Sequence, residues 1–225
     1  ESDTPVEMTL ELDQPDTFFG TVSAELDCTC QLLGSAKASN DGRLHYVAVS
    51  GTDPDAVQEL ATESHVPAPE ALRLVREEAD RTVFEARVEP SITSFLYASG
   101  VNPVDVAAQG GQVTVESTAP RGVDLRDLTE RLDDRFGGVT LVSKREGDRW
   151  QDSGSTARKD LDDCLTERQH AALSAAYFGG YFDWPRDSTA EEIAESLEIA
   201  SPTLHQHLRL ALGKVLETCF DDGGT

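Results

Sequence analysis

The sequence contains few basic residues and very little lysine. Its 225 residues include 42 Asp and Glu against 19 Lys and Arg, for a formal net charge of −23. The acidic residues are spread through periodic apolar segments, which argues against a disordered acidic tail. Such a composition is typical of proteins from salt-loaded cytoplasm, where molar salt shortens the Debye length to about 3 Å and screens self-repulsion. An ordinary acidic protein is the alternative.

Long apolar runs and catalytic motifs are also absent. No segment approaches the roughly 20 apolar residues of a membrane span, and no signal peptide is visible. We therefore expect a cytoplasmic protein with no membrane partner. The sequence contains no phosphate-binding glycine loop and no recognisable nucleophile–histidine arrangement. It therefore predicts no enzyme and no cofactor.

The cysteines are too few for a dense disulfide framework. They are Cys28, Cys30, Cys164 and Cys219. Cys28 and Cys30 could bind a metal together with His45 or His65, but their spacing does not match a zinc motif. Strand cysteines packed in a core are the commoner case, so we predict no metal site.

The first two thirds of the chain alternate between strand and helix patterns. The order βαββαβ occurs twice, over residues 5 to 79 and 81 to 146. The segment 70–79 is ambiguous, because its apolar spacing favours a helix and its place in the order favours a strand. The order is typical of ferredoxin-like folds. We predict an α+β protein: residues 1–150 form a tandem ferredoxin-like regulatory or dimerisation module, residues 151–160 a linker, and residues 161–225 an all-α helix-turn-helix domain.

Three helices are predicted after the linker. Thr166 with Gln169, and Thr189 with Glu192, have the spacing of capping boxes at the first two helix starts. Ser201 is the predicted cap of the third helix, with Pro202 at its first position. The buried stripe of the third helix is predicted as Leu204, Leu208, Ala211, Leu212 and Val215. We expect three aromatic residues between the first two helices to close a small core. They are Tyr181, Phe182 and Trp184.

The open face of the third helix has residue types that read DNA. Glutamine can pair with adenine and arginine with guanine, each through two hydrogen bonds, and threonine can contact a base or a phosphate. A helix start can bind a phosphate through its free amides. His207 is predicted to be half-packed, because its spacing fits the core face. We predict that DNA is bound by Thr189, Ser201, Pro202, Thr203, His205, Gln206 and Arg209.

The third helix is free of acidic residues although the chain is acidic. No Asp or Glu occurs from Ile199 to Leu216. Residues 160–225 nevertheless have four basic and thirteen acidic side chains, a net charge of −9. A stretch without acidic residues is expected on a helix that touches DNA. Burial of the helix between subunits is the alternative explanation.

The segment Leu165–Leu216 resembles the C-terminal helix-turn-helix of the haloarchaeal bacterio-opsin activator family of transcription regulators. The pieces that carry the resemblance are "LTERQ", "GYFDWPR", "TAEEIAESL" and "SPTLHQHLR". The preceding αβ region is similar to the amino-terminal module that accompanies this domain in the family. Asp187 and Leu210 stand where the family pattern often has basic residues, which implies weaker phosphate contacts.

The resemblance and the residues together imply a sequence-specific regulator of a halophilic archaeon that reads double-stranded DNA with its third helix. A homodimer is expected, because such proteins commonly bind two half-sites about 34 Å apart. Two alternatives remain open. In one, the helix docks a transcription factor or polymerase subunit without contacting DNA. In the other, the paired αβ units hold a small-molecule effector.

Overall fold

The computed structural model describes residues 5–14, 16–38, 42–63, 65–89, 91–146 and 164–221. The strands are β1 Val6–Asp13, β2 Thr29–Lys37, β3 Arg43–Ser50, β4 Ala71–Glu77, β5 Thr82–Arg87, β6 Asn102–Gln109, β7 Gln112–Ala119 and β8 Val139–Glu146. The helices are α1 Phe18–Glu25, α2 Pro54–Leu60, α3 Ile92–Ala98, α4 Leu125–Phe136, α5 Glu167–Phe178, α6 Ala190–Ser196 and α7 Ser201–Asp221.

Local sequence signals set several element boundaries. Asp53 caps α2 by accepting a hydrogen bond from the Asp55 N–H at 2.9 Å. Gly110 and Gly111 both have positive φ and form the hairpin turn between β6 and β7, as that pair favours. The ambiguous segment 70–79 forms β4, which pairs antiparallel with β5. The predicted order of elements, βαββαβ twice, is therefore present.

The eight strands form one sheet in the order β4-β5-β3-β2-β6-β7-β1-β8. β1 lies between β7 and β8, and both pairings are antiparallel. β5 takes the corresponding place between β4 and β3. The first strand of each βαββαβ series therefore lies in the half of the sheet formed by the other series. The sequence predicted an α+β module here, and the structure has an eight-stranded sheet with helices.

The core of this sheet combines the strand faces with the first four helices. Leu10 and Leu12 of β1 are fully buried. α1 packs against β6 and β7, and α4 packs against β8. On α4, the apolar face is buried at Leu125, Leu128, Leu132 and Phe136. Burial of such a face supplies the hydrophobic stabilisation that holds a short helix on a sheet.

The chain forms two compact units. The first contains the chain up to Leu32 and from Val47 through β8, and the second combines Leu33–Tyr46 with α5, α6 and α7. Within the second unit, the buried Tyr46 ring stacks on Phe178 of α5, with the ring centroids 5.8 Å apart. The domain boundaries predicted at residues 150 and 160 lie outside the described residues and stay predictions. Across the described ranges, no helix is long and apolar enough to cross a membrane.

Candidate DNA-binding surface

The first helix of the second unit, α5, begins with the predicted capping box. The Gln169 N–H donates to the Thr166 hydroxyl at 3.3 Å, and the Thr166 N–H donates to Gln169 Oε1 at 3.1 Å. The same Oε1 accepts a bond of 2.9 Å from Lys214 of α7. Lys214 also donates to the Cys164 carbonyl at 2.8 Å. Lys214 therefore joins α5 to α7 and is not free to contact a phosphate, a role that its sequence position did not indicate.

Two glycines allow the close approach of α5 and α6. A Cβ on Gly179 would lie 2.5 Å from the Ile193 Cδ1 atom of α6 and 2.7 Å from the Ala175 carbonyl oxygen. Gly180 has a φ of 72°, a left-handed conformation that glycine adopts without strain. α5 ends at Phe178, so these two residues break the helix.

Two of the three aromatic residues after this break do not seal a core, so that prediction is wrong for Phe182 and Trp184. Trp184 is 95% exposed and Phe182 is 45% exposed. Tyr181 is half-buried, and the Arg186 guanidinium lies 4.6 Å from its ring centroid. The small core is filled instead by alanines of α5, by Ile193 of α6 and by Leu204 and Leu208 of α7, because α5 and α6 approach too closely at Gly179 to leave room for large rings.

α6 begins with the second predicted capping box. The Glu192 N–H donates to the Thr189 hydroxyl at 3.2 Å, and the Thr189 N–H donates to Glu192 Oε2 at 2.7 Å. The Thr189 hydroxyl also contacts Glu192 Oε2 at 2.9 Å. Thr189 is exposed, but both its backbone N–H and its hydroxyl are engaged by Glu192.

The corner between α6 and α7 is a tight turn with one residue in the left-handed region. Glu198 has a φ of 57°. The Ile199 N–H donates to the Ala194 carbonyl at 2.9 Å, which is the long bond of a Schellman motif. This bond closes the end of α6 and turns the chain into α7.

The start of α7 differs from the prediction. The Leu204 N–H donates to the Ala200 carbonyl, so Ala200 occupies the cap position and Ser201 is the first helical residue. The Thr203 N–H also donates to Ala200, and Pro202 has no N–H. Of residues 201–203, only Ser201 retains an amide for a phosphate. The sequence favoured Ser201 as the cap because serine is a preferred capping residue and alanine is not.

α7 has a buried face and an exposed face along its length. Leu204, Leu208 and Ala211 are buried, as predicted. Leu212 is 37% exposed and Val215 is half-buried, so the predicted buried stripe is wrong at Leu212.

The seven predicted DNA-binding residues do not all share one surface. Four are exposed at helical spacing on α7: Pro202, His205, Gln206 and Arg209. Ser201 is half-buried in the first turn of α7, and Thr189 is exposed at the start of α6. Thr203 is half-buried and, together with His207, lines a cleft beside the helix. His207 is half-buried, as its spacing predicted.

The exposed face of α7 offers donors with few competing acids. Arg209 makes no ion pair with any residue in the described part of the chain. No acidic residue lies between Ile199 and Leu216. An arginine without an intramolecular carboxylate partner keeps its paired N–H donors for an external acceptor. The arrangement can therefore present His205, Gln206 and Arg209 together to a groove.

Cys28 and Cys30 do not form a comparable site. Cys28 and Cys30 are free and buried, and hydrogen bonding to Cys28 together with burial raises the pKa of the Cys30 thiol. His65 lies 3.0 Å from Glu25, and His45 is buried in β3. Within the described ranges, no group of three or more His, Cys, Asp or Glu side chains is arranged to hold a metal ion.

Comparison with known proteins gives two family matches. A family model described as "GAF and HTH_10 associated domain" matches residues 3–159. A second, described as "HTH DNA binding domain", matches residues 165–217, which include α5, α6 and most of α7. Together they match nearly the whole chain.

Similar proteins occur in haloarchaea. A putative transcriptional regulator of Haloferax volcanii is 34% identical over 224 residues, which are 98% of this chain and 38% of the relative. The bacterioopsin transcriptional activator of Halobacterium salinarum is 29% identical over 233 residues, covering 98% of this chain and 33% of the relative. The transcriptional regulator NarO of Haloferax volcanii is 34% identical over 114 residues, with 51% of this chain and 54% of that protein covered.

The chain thus spans little more than a third of the length of the first two relatives. The match over its own length is nearly complete, and it includes both the sheet and the three-helix arrangement. This chain belongs to the bacterio-opsin activator-like family of helix-turn-helix transcription regulators.

Proposed function

We propose that this chain regulates transcription in the cytoplasm of a halophilic archaeon by reading a specific double-stranded DNA sequence with α7. The observation that carries the proposal is the exposed row of His205, Gln206 and Arg209 on the part of α7, Ser201 to Leu216, that contains no acidic residue. A helix of this kind fits the major groove, which is about 12 Å wide. Family membership supports the same function.

The residues on this surface take different roles. Gln206 and Arg209 are one helical turn apart and would read base edges, with His205 beside them. Pro202 starts the same face, and the Ser201 amide would meet a phosphate. Thr189 and Thr203 would contribute little to DNA binding. Thr189 is hydrogen-bonded to Glu192, and Thr203 faces the cleft.

High salt decides which interactions can supply the affinity. The segment 160–225 has a net charge of −9, so it gains little from long-range attraction to DNA. Molar salt also removes most of the gain from counterion release. We infer that affinity comes from groove fit, base contacts and hydration, and that the protein binds specific sites much better than random DNA.

The test measures DNA binding in molar KCl. Fluorescence anisotropy on labelled fragments from the protein's own promoter region should give saturable binding. Arg209→Ala and Gln206→Ala should each weaken specific binding by about 1–3 kcal/mol, the worth of one bidentate base contact. Binding to a scrambled fragment should change much less.

Matched controls are available on the first unit. Arg126 and Gln58 are exposed helical residues, on α4 and α2. Arg126→Ala and Gln58→Ala should bind DNA like the parent chain. Unchanged binding by both α7 variants would remove these residues from the reading face. Saturable binding of a polymerase subunit or transcription factor, with no DNA binding at any salt, would favour the protein-docking alternative.

We also propose a homodimer formed through the C-terminal half of α7. Leu212 and Leu216 are four residues apart and are 37% and 53% exposed. Exposed leucines at this spacing are typical of a helix that packs against another helix. Leu216→Glu should convert the dimer to a monomer in analytical ultracentrifugation, whereas Leu210→Glu on the reading face should leave it intact. A monomeric parent chain would contradict the proposal.

We also propose how the eight-stranded sheet divides into two folding units. We infer that it is a pair of ferredoxin-like units with their first strands exchanged, because β1 completes the β6-β7-β8 half and β5 the β2-β3-β4 half. A fragment of residues 81–146 would then lack the strand between β7 and β8. It should stay unfolded alone and fold when a β1 peptide is added, whereas independent folding would contradict the exchange.

A further inference from the structure

A cleft in the second unit runs alongside α7, next to the reading face. Its volume is about 290 Å³, close to the lower end of the roughly 300–1,000 Å³ that small-molecule sites occupy. It is formed by the end of β2, the first turns of α5, the α6–α7 corner and one side of α7. The lining residues are Lys37, Ala38, Glu167, Arg168, Ala171, Leu197, Ile199, Thr203 and His207.

The cleft gathers positive charge in a chain that has little of it. Lys37 and Arg168 both line it, although the whole chain has 19 basic residues against 42 acidic ones. Glu167 is the single acid among the lining residues, and its carboxylate lies 3.4 Å from Lys37 Nζ. Arg168 makes no ion pair with another residue that the structure describes. The cleft therefore has positive charge beyond what its own carboxylate neutralises.

His207 lines the cleft and has one polar atom without a protein partner. His207 Nδ1 is shielded from solvent and has no hydrogen-bond partner among the described residues. A buried polar atom without a partner costs about 1–3 kcal/mol. Thr203 is one turn earlier on α7 and adds a hydroxyl to the same wall.

The rest of the wall is apolar. Ala38, Ala171, Leu197 and Ile199 contribute methyl and aliphatic groups. Sites of this composition bind molecules that have a charged end and an apolar body. A carboxylate can accept hydrogen bonds from an arginine, a lysine and a hydroxyl at once.

We propose that this cleft binds a small organic carboxylate with an apolar body. Such a ligand would place its carboxylate near Arg168 and Lys37 and its body against Leu197 and Ile199. It would touch α7 at Thr203 and His207, which lie between and beside the proposed reading residues. The ligand would therefore act as an effector of DNA binding, a consequence that rests on the proposed function.

Coupling between the cleft and DNA has a simple physical basis. A ligand that touches both the α6–α7 corner and α7 stabilises one placement of α7 on α6. It changes DNA affinity to the extent that the DNA-bound protein holds it more tightly or more weakly than the free protein does. The effect must be reciprocal, so DNA must change the ligand affinity by the same factor.

The first test uses benzoate as a probe and contains no DNA. The full chain has five histidines, so selectively labelled histidine signals can be followed by NMR at constant KCl concentration. Benzoate should shift the His207 signals in a saturable way and leave those of His65 unchanged. Benzamide has the same shape without the charge and should bind much more weakly.

Variants connect the signal to the cleft. Arg168→Gln should weaken benzoate binding about tenfold, the loss expected for one charge-assisted hydrogen bond of about 1.4 kcal/mol. Arg186→Gln changes an exposed arginine elsewhere in the same unit and should leave benzoate affinity unchanged. A linear, unsaturable shift, an equal response to benzamide, or full affinity in Arg168→Gln would overturn the proposal.

The effector role is tested separately by anisotropy. Saturating benzoate should change the DNA affinity of the parent chain and have no effect on Arg168→Gln, whose affinity without benzoate should equal that of the parent. Benzoate binding with unchanged DNA affinity would overturn the effector role. It would still support a carboxylate-binding site in the cleft. Absence of DNA binding would refute the proposed function, but the DNA-free titration would still decide whether the cleft binds carboxylates.

Discussion

At the residue scale, Gly34 of β2 marks the tightest approach in the second unit. A Cβ built on Gly34 would overlap the ring of Phe178. That ring stacks on Tyr46 and lies edge-on to Tyr177, with centroids 5.8 and 5.1 Å away. Gly34→Ala should therefore lower the free energy of unfolding by about 1–3 kcal/mol, the usual cost of overpacking. Thermal unfolding followed by circular dichroism in molar KCl measures it.

Gly213 provides the control for this prediction. A Cβ at Gly213 in α7 would meet nothing within 4 Å. Gly213→Ala should raise the free energy of unfolding by up to about 1 kcal/mol, because alanine favours a helix more than glycine does. Equal stability of Gly34→Ala and the parent chain would show that β2 does not pack on α5 as the structure indicates.

His45 gives the second unit a dependence on pH. Burial, with a smaller contribution from Arg43, lowers the pKa of His45 from 6.5 to about 4. Between these pH values the unfolded chain binds a proton that the folded chain excludes. The free energy of unfolding should therefore fall as pH falls from 6.5 towards 4, by about 3 kcal/mol in total.

The measurement compares urea midpoints of the parent chain and His45→Gln across this pH range. Many carboxylates also titrate near its lower end, so the difference between the two chains is the informative quantity. The parent should lose stability relative to His45→Gln as pH falls. Parallel curves would mean that His45 is not held in its neutral form.

At the element scale, the start of α6 depends on one side chain. The Thr189 hydroxyl accepts the hydrogen bond from the Glu192 N–H. Thr189→Ala should therefore cost about 1 kcal/mol, as loss of a helix cap usually does. Thr189→Ser keeps the hydroxyl and should recover most of this stability in the same unfolding measurement. Equal stability of the alanine and serine variants would contradict a capping role.

The sequence predicted elements well where the signal is local. Both predicted capping boxes are confirmed. Each depends on residues within a few positions of one another, so short-range physics determines it. Segment 70–79 was ambiguous because only its pairing with the distant β5 decides that it is a strand.

The misjudged residues are those whose surroundings come from elsewhere in the chain. Trp184 was expected in a core because large aromatic residues are usually buried, but the tight crossing of α5 and α6 leaves no space for it. Thr203 has the spacing of the reading face, yet it faces a cleft completed by Lys37 and Ala38 of the N-terminal half. Nothing near Thr203 in the sequence indicates that neighbour.

At the scale of the whole molecule, the charge of −23 should make stability depend on salt. Raising KCl from 0.15 M to 1 M shortens the Debye length from about 8 to about 3 Å. The melting temperature should rise over this range because repulsion among the acids is screened. Added sucrose without salt should not reproduce the whole effect. A melting temperature independent of KCl would contradict this account of the composition.

The strand order of the sheet could not be predicted from the apolar pattern of the sequence. Strand periodicity predicted β1 and β5 in their places along the chain, but it did not indicate which half of the sheet each strand joins. The positions of β1 and β5 in the sheet are set by long-range pairing, such as that of Leu10 with Val115 and Leu12 with Val113. The apolar pattern determines which face of a strand is buried but does not name its partner.

The central claim is that the exposed face of α7 reads DNA sequence. The most direct test selects binding sites from a random double-stranded pool in molar KCl, using the parent chain and Arg209→Ala in parallel. The account predicts one enriched motif for the parent and the same motif for the variant, with the preference lost at one base pair. No enriched motif, or an identical motif from both proteins, would contradict it.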